Sequence, residues 1–191
     1  MPFHLFLASQ SPRRRELLHQ IGFDFDVLDV DVPERREPGE TPADYVSRVA
    51  REKAGAGLLQ VAAVPGAIVI GADTEVVLDD DVFGKPADAS DAQAMLRRLS
   101  GRAHQVLSAV WCVSASREEH ALSISTVEFA ALTDADTAAY VATGEAFGKA
   151  GAYAIQGRAA AFISRLEGSH SAVMGLPLHE TSLLLRRFER G

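Results

Sequence analysis

Ala67-Ile68-Val69-Ile70-Gly71-Ala72-Asp73-Thr74-Glu75-Val76-Val77-Leu78 is the stretch that decides the fold. It is apolar and β-branched apart from Asp73, Thr74 and Glu75, and is predicted to be a strand. Asp79, Asp80 and Asp81 turn the chain, and Val82-Phe83 returns. Upstream, Phe3, Leu5 and Leu7 alternate with His4, Phe6 and Ala8, which predicts a short buried strand. Ser11-Pro12 opens a helix, with serine as N-cap and proline at the first helical position; Leu17, Leu18 and Ile21 form its apolar side, and Gly22 ends it. Residues 24–30 read as a second strand, and 31–40 as a charged loop. Thr41-Pro42-Ala43-Asp44 starts a helix that runs to about residue 60.

Downstream, residues 88–99 are predicted to be helical, with Ala92, Met95, Leu96 and Leu99 on one side. Residues 104–114 and 121–132 read as an antiparallel pair joined by 115–120. A helix follows at about 134–142, then a glycine- and alanine-rich stretch over 144–157 and a strand over 159–167. Pro177 begins a last amphipathic helix, with Leu183, Leu184 and Phe188 facing inward. Strands and helices are mixed, so the class is α/β or α+β. With 191 residues and 47% hydrophobic content, the chain is one domain, 1–191, with room for two lobes and a sizeable core.

This composition excludes a disordered protein. No apolar run approaches the ~18 residues of a membrane span. No basic, cleavable leader is visible at the N-terminus. The single cysteine, Cys112, has no internal partner for a disulfide, which fits a reducing cytoplasm. A net charge of −7 argues against non-specific nucleic-acid binding.

Several polar residues sit where a purely structural role does not explain them. Arg13, Arg14 and Arg15 occupy the first turn of a helix, where the dipole disfavours cations. They either point to solvent or, with free backbone N–H groups and the Ser9 hydroxyl, form an anion site. Arg15 is the expected bystander. Lys53 falls on the inward stripe set by Val46, Val49, Ala50 and Gly57, so it either snorkels past small neighbours or meets an anion. Asp73 is a carboxylate in an apolar strand. It requires pairing, protonation or a metal, unless the strand is an edge open to water. Gly71 leaves room for a backbone or a ligand to come close. Lys85, fixed between Gly84 and Pro86, can reach a phosphate, although those neighbours are ordinary turn residues. Gln156 can read a base edge or simply sit in a turn.

Other features carry less. The Asp79–Asp81 run reads as a solvated turn, and Cys112 as a core thiol. The six histidines lack metal-ligand spacing. Neither a P-loop nor a GxGxxG fingerprint is present. Four cations (Arg13, Arg14, Lys53, Lys85) and two acids (Glu34, Asp73) therefore remain. Such an inventory suits hydrolysis of a phosphoanhydride: cations neutralise a polyphosphate, and acids hold a divalent metal or activate water.

The same residues carry a family resemblance. Leu7-Ala8-Ser9-Gln10-Ser11-Pro12-Arg13-Arg14, Gly71-Ala72-Asp73-Thr74 with Gly84-Lys85-Pro86, Leu99-Ser100-Gly101 with His104-Gln105-Val106, Lys149 through Gly157, and Gly175-Leu176-Pro177-Leu178 together resemble the Maf family, in order along nearly the whole chain. That resemblance implies a nucleoside triphosphate pyrophosphatase that cleaves between the α and β phosphates with a divalent metal, magnesium or manganese. It implies a mixed sheet flanked by helices, two lobes and a central cleft, related to the inosine triphosphate pyrophosphatases. It implies Asp73 as proton acceptor and Ser9, Arg13, Arg14, Glu34, Lys53 and Lys85 around the phosphates and metal. The stretch around Gln156 is similar to the branch that acts on dTTP and UTP, with Arg13, Thr74 and Gln156 at the positions tied to base choice. The alternatives are 7-methylguanosine triphosphate as substrate, or a non-catalytic nucleotide-binding regulator of cell division. The resemblance also implies a homodimer, while the composition points to a cytoplasmic protein without nucleic-acid or membrane partners.

Overall fold

The computed structural model describes residues 4–189; Phe3, expected in the first strand, lies outside them. The first strand, β1 (His4–Ala8), leads into helix α1 (Pro12–Gln20), and β2 (Asp26–Leu28) returns beside it. Helix α2 (Pro42–Gln60) follows, then β3 (Ala67–Leu78) and the short β4 (Asp81–Phe83). Next come α3 (Ala89–Leu99), the antiparallel pair β5 (Ala103–Val113) and β6 (Glu118–Phe129), and α4 (Asp134–Val141). Two 3-10 turns, Ala150–Ala152 and Arg158–Phe162, precede β7 (Ile163–Glu167), α5 (His170–Met174) and α6 (Leu178–Glu189).

The strands form one sheet in the order β2-β1-β3-β5-β6-β7, with β4 paired to β3. β2, β1 and β3 are parallel; the remaining pairs are antiparallel. This is the expected mixed sheet flanked by helices. β3 lies between β1 and β5 and Asp73 is buried, which removes the alternative of an edge strand with Asp73 in water. β1 pairs with β3 only as far as Leu7↔Ile70, and β4 joins only at Val76. One side of β3 is therefore left without a strand neighbour over residues 71–75.

Side chains alternate along β3. Ile68, Ile70 and Ala72 join a core with Leu17 and Leu18 of α1 and Leu184 and Leu185 of α6. Val76 and Leu78, on the same face, join a second core with α3, α4 and Tyr153. Thr74 falls between the two cores, and the cleft between the lobes opens there. On the opposite face, Val77 packs with Val46 and Ala50 of α2. Gly71 permits this close approach. A Cβ there would meet Ala50 O at 2.2 Å and Ala54 N at 2.5 Å, so the backbone it admits is that of α2, not a ligand.

Several local expectations are corrected. Residues 24–30 yield only the three-residue β2, an edge strand paired to β1 alone. Ser11 caps α1 by position, but its side chain makes no capping hydrogen bond. The β5–β6 connection is tighter than predicted, because pairing continues to Val113↔Glu118. The strand predicted over 159–167 begins only at Ile163, where β6 offers Phe129 as its partner beside a bulge. Leu183 is 42% exposed and Leu185 is buried instead, because α6 is rotated relative to the predicted stripe. Helix α5 was not foreseen.

His104 illustrates the second core. It is 2% exposed, and its Nε2 pairs with Tyr153 Oη at 2.8 Å. Burial pushes its imidazole down to about 4. The unfolded chain, with a histidine near pH 6.5, therefore takes up the proton first as pH falls. The folded-state value is depressed, so stability present above pH 6.5 is lost as pH drops towards 4. The expected loss from this residue between pH 7 and pH 5 is about 2 kcal/mol. His104→Gln should remove that difference in urea titrations at the two pH values; an unchanged slope would rule out a neutral buried His104.

Candidate active site

A cavity of about 730 Å³ occupies the gap beside β3, and every candidate residue from the sequence lines it: Ser9, Arg13, Arg14, Glu34, Lys53, Asp73, Thr74, Lys85 and Gln156. Its floor is built by β3 and α2. The Gly71 contact brings α2 close enough that Lys53, 7% exposed, sits against Asp73, 4% exposed. Lys53 Nζ donates to Asp73 Oδ1 at 2.7 Å and pairs with Glu34 Oε1, also at 2.7 Å. Lys85 Nζ takes the other oxygen, Glu34 Oε2, at 2.7 Å. A chain of alternating charge, Lys85–Glu34–Lys53–Asp73, therefore runs along the wall. The inward lysine meets an anion, as one of its two alternatives required.

Burial alone would raise the Glu34 carboxyl, but hydrogen bonds from Lys53 and Lys85 hold it down at about 2. Asp73 has only one oxygen engaged, since Oδ2 is buried without a hydrogen-bond partner. The carboxylate is thus fixed in orientation with one oxygen uncommitted.

The arginines approach from α1, on the other face of β3 from α2. Arg14 Nε donates to Gly175 O at 2.8 Å, and Arg13 Nε to Met174 O at 3.2 Å. These carbonyls close α5, and cations are favoured at such an end. The anchoring turns the guanidinium forks of α1 towards the cleft, although α1's own dipole disfavours them. Arg14 also reaches Ser9 Oγ at 3.3 Å and Thr74 Oγ1 at 3.5 Å. Ser9 Oγ accepts a second bond from Ser11 N at 3.2 Å, so its hydroxyl proton remains available to a ligand. Thr74 Oγ1 lies 2.8 Å from Ser108 Oγ. Arg15 does not line the cavity; its Nη2 turns back to Gln10 O at 3.5 Å.

The glycine- and alanine-rich stretch forms the opposite wall. Gly151 N donates to Gly84 O at 3.2 Å, next to Lys85. Gly151 adopts φ 67°, and a Cβ there would press on Val76 at 2.9 Å, so only glycine seats the stretch so closely. Gln156 is exposed on this wall, and among the described residues its amide makes no hydrogen bond.

Two residues in the wall were not singled out from sequence. Lys149 lines the cavity and donates to Phe147 O at 3.3 Å. Glu75 is 7% exposed, and its Oε2 has no hydrogen-bond partner. Burial, then the nearby charges of Asp73 and Glu34, push its carboxyl up to about 8. A signal was available: Glu75 stands two residues after Asp73 in the same apolar strand, hence on the same face.

Elsewhere, Asp79 and Asp81 pair with Arg102 and Arg98 at the surface, consistent with a solvated turn. Burial pushes the Cys112 thiol up to about 12, as suits an unreactive core residue. Among the described residues, no helix is long and apolar enough to cross a membrane.

Comparison with known proteins adds an independent line. The family model described as Maf-like protein matches residues 4–188. The dTTP/UTP pyrophosphatase of Xanthomonas euvesicatoria pv. vesicatoria is 61% identical over 186 residues, covering 96% of this chain and 98% of that protein. The dTTP/UTP pyrophosphatase of Ralstonia nicotianae is 55% identical over 191 residues, covering 95% and 92%. The nucleoside triphosphate pyrophosphatase of Xylella fastidiosa is 54% identical over 186 residues, covering 97% and 98%. Among solved structures, the nucleoside-triphosphatase / dITP/XTP pyrophosphatase of Mycobacterium abscessus aligns with a TM-score of 0.40 and 16% identity, over 66% of this chain and 73% of that one.

Proposed function

The chain belongs to the Maf family, and from that premise we propose that it hydrolyses dTTP and UTP to the nucleoside monophosphate and pyrophosphate. The observation that carries this reading is the cation–carboxylate chain ending on Asp73, set in a cavity large enough for a nucleotide. The relatives' names supply the substrates.

In this reading the triphosphate enters with its anionic end towards Arg13, Arg14, Lys53 and Lys85. Phosphate oxygens compete with Glu34 and Asp73 for the two lysines. The Ser9 hydroxyl and the α1 N-terminus add donors. Asp73 then takes a proton from a water that attacks phosphorus at the α–β bridge. The bridging bond breaks, and its electron pair leaves with the pyrophosphate. The four cations hold the charge that develops on the departing oxygens.

A divalent cation, magnesium or manganese, suits this wall of oxygen donors, in which Asp73 Oδ2 is buried and unpartnered. Among the described residues no group of three or more His, Cys, Asp or Glu is arranged to hold a metal alone. It would therefore be held by Glu34 and Asp73 together with phosphate oxygens and water, the pattern usual for magnesium with a nucleotide. When bound, it supplies further neutralisation of the phosphate charge.

Base choice is assigned to Arg13, Thr74 and Gln156. The Gln156 amide is free to donate to and accept from a pyrimidine edge at once. A cytoplasmic location and a homodimer belong to the same proposal, carried by the family resemblance.

Pyrophosphate release from a panel of nucleoside triphosphates, with magnesium or manganese and with chelator, tests the reading. Release from dTTP and UTP, abolished by chelator, is the expected result. Release only from 7-methylguanosine triphosphate would overturn the assignment of the base readers. Tight nucleotide binding with no release would make the chain a sensor.

A further inference from the structure

Glu75 has no part in the reaction as described, yet it is the least compensated charge carrier in the cleft. It lines the cavity, it is 7% exposed, and its Oε2 is buried without a donor. The two-residue period of β3 puts it on the face that carries Asp73 and looks towards α2. Both lysines of that wall are already engaged: Lys53 bridges Asp73 and Glu34, and Lys85 holds the other oxygen of Glu34. The arginines give it no hydrogen bond, since their guanidinium groups donate to Met174 O, Gly175 O, Ser9 and Thr74; Arg14 reaches Glu75 only as a nearby charge. Three carboxylates therefore face two lysines, and the one left over is buried. A buried carboxyl with no hydrogen-bond donor is costly, and its bare oxygen is a site for a cation.

No described side chain donates to that oxygen, so a partner for it arrives with the ligand. A small hard cation that keeps part of its shell in water and phosphate needs only one or two protein carboxylates. We propose that Glu75 supplies a carboxylate oxygen to the divalent cation that enters with the triphosphate, beside Asp73. The proposal rests on the pyrophosphatase reading above for the identity of the nucleotide, but not for the cation site itself.

Manganese binding, followed by loss of the free-ion paramagnetic resonance signal, provides the test. It is measured on wild type and Glu75→Gln, without nucleotide and with a dTTP analogue that resists α–β cleavage. Analogue binding in chelator is measured alongside. In the variant the manganese dissociation constant is expected to rise roughly tenfold or more, while analogue binding in chelator stays within about twofold. The metal-free variant is expected to melt close to the wild-type temperature, because an amide of similar size replaces a buried carboxyl that already lacks a hydrogen-bond partner. Wild-type manganese affinity in Glu75→Gln would overturn the proposal. So would a lowered melting temperature or failure to fold, which would make Glu75 a structural residue. If wild type releases no pyrophosphate from dTTP or UTP, the pyrophosphatase reading fails, and the manganese comparison still decides the role of Glu75.

Discussion

Asp73→Asn is expected to lower kcat by roughly 10²–10⁴-fold, the range typical for loss of a positioned general base, with nucleotide binding within a few-fold of wild type. Asparagine keeps the volume and leaves one oxygen to accept from Lys53, so the 2.7 Å contact at Oδ1 survives in shape. What disappears is the capacity to take a proton at the uncommitted oxygen. Single-turnover rates of pyrophosphate release, with analogue binding measured separately, distinguish the two effects. A variant within tenfold of wild type would remove Asp73 from the role of proton acceptor.

Lys53→Met should produce the largest combined effect on stability and activity. Lys53 is 7% exposed and, among the described residues, is the one ion-pair link between Glu34 and Asp73. Its removal leaves the Asp73 carboxylate buried without a counter-charge. Breaking one side of a buried pair typically costs about 3–5 kcal/mol. Glu34, a third exposed and still held by Lys85, should add little to that. Urea unfolding at pH 7 measures the stability term. The activity term should appear in kcat/KM, because the one cation lost both binds the triphosphate and orients the base. Wild-type stability in this variant would mean that the bridge is not formed in solution.

Much of this was legible in the sequence because the signals are local. Periodicity placed β3 at residues 67–78 without error, and the stripe of Val46, Val49 and Ala50 put Lys53 inward. A carboxylate in an apolar strand and arginines in a first helical turn are anomalies visible without coordinates. The misses follow equally clear causes. Strand ends near 24–30 and 159–167 depend on what the neighbouring strand offers, and a propensity window does not carry that information. The α6 stripe holds at Leu184 and Phe188, but Leu183 is exposed and Leu185 is buried in its stead. Glu75 carries the same local signal as Asp73, a carboxylate on one face of an apolar strand; what sets the two apart is that Lys53 and Lys85 are taken by Asp73 and Glu34.

Most of the strands and helices, the charges on apolar faces and the family motifs are readable from residue order alone. These depend on spacing along a few turns or pleats. The packed fold makes β3 central, leaves one side of residues 71–75 uncovered, and sets Thr74 between two cores. It also decided that Arg13 and Arg14 of α1 are turned into the cleft by carbonyls 161 positions away. The physical reason is that such pairings are set by sheet register and by how closely layers approach. Here that approach is fixed where the backbone of α2 meets the bare Cα of Gly71 and carries Lys53 onto Asp73.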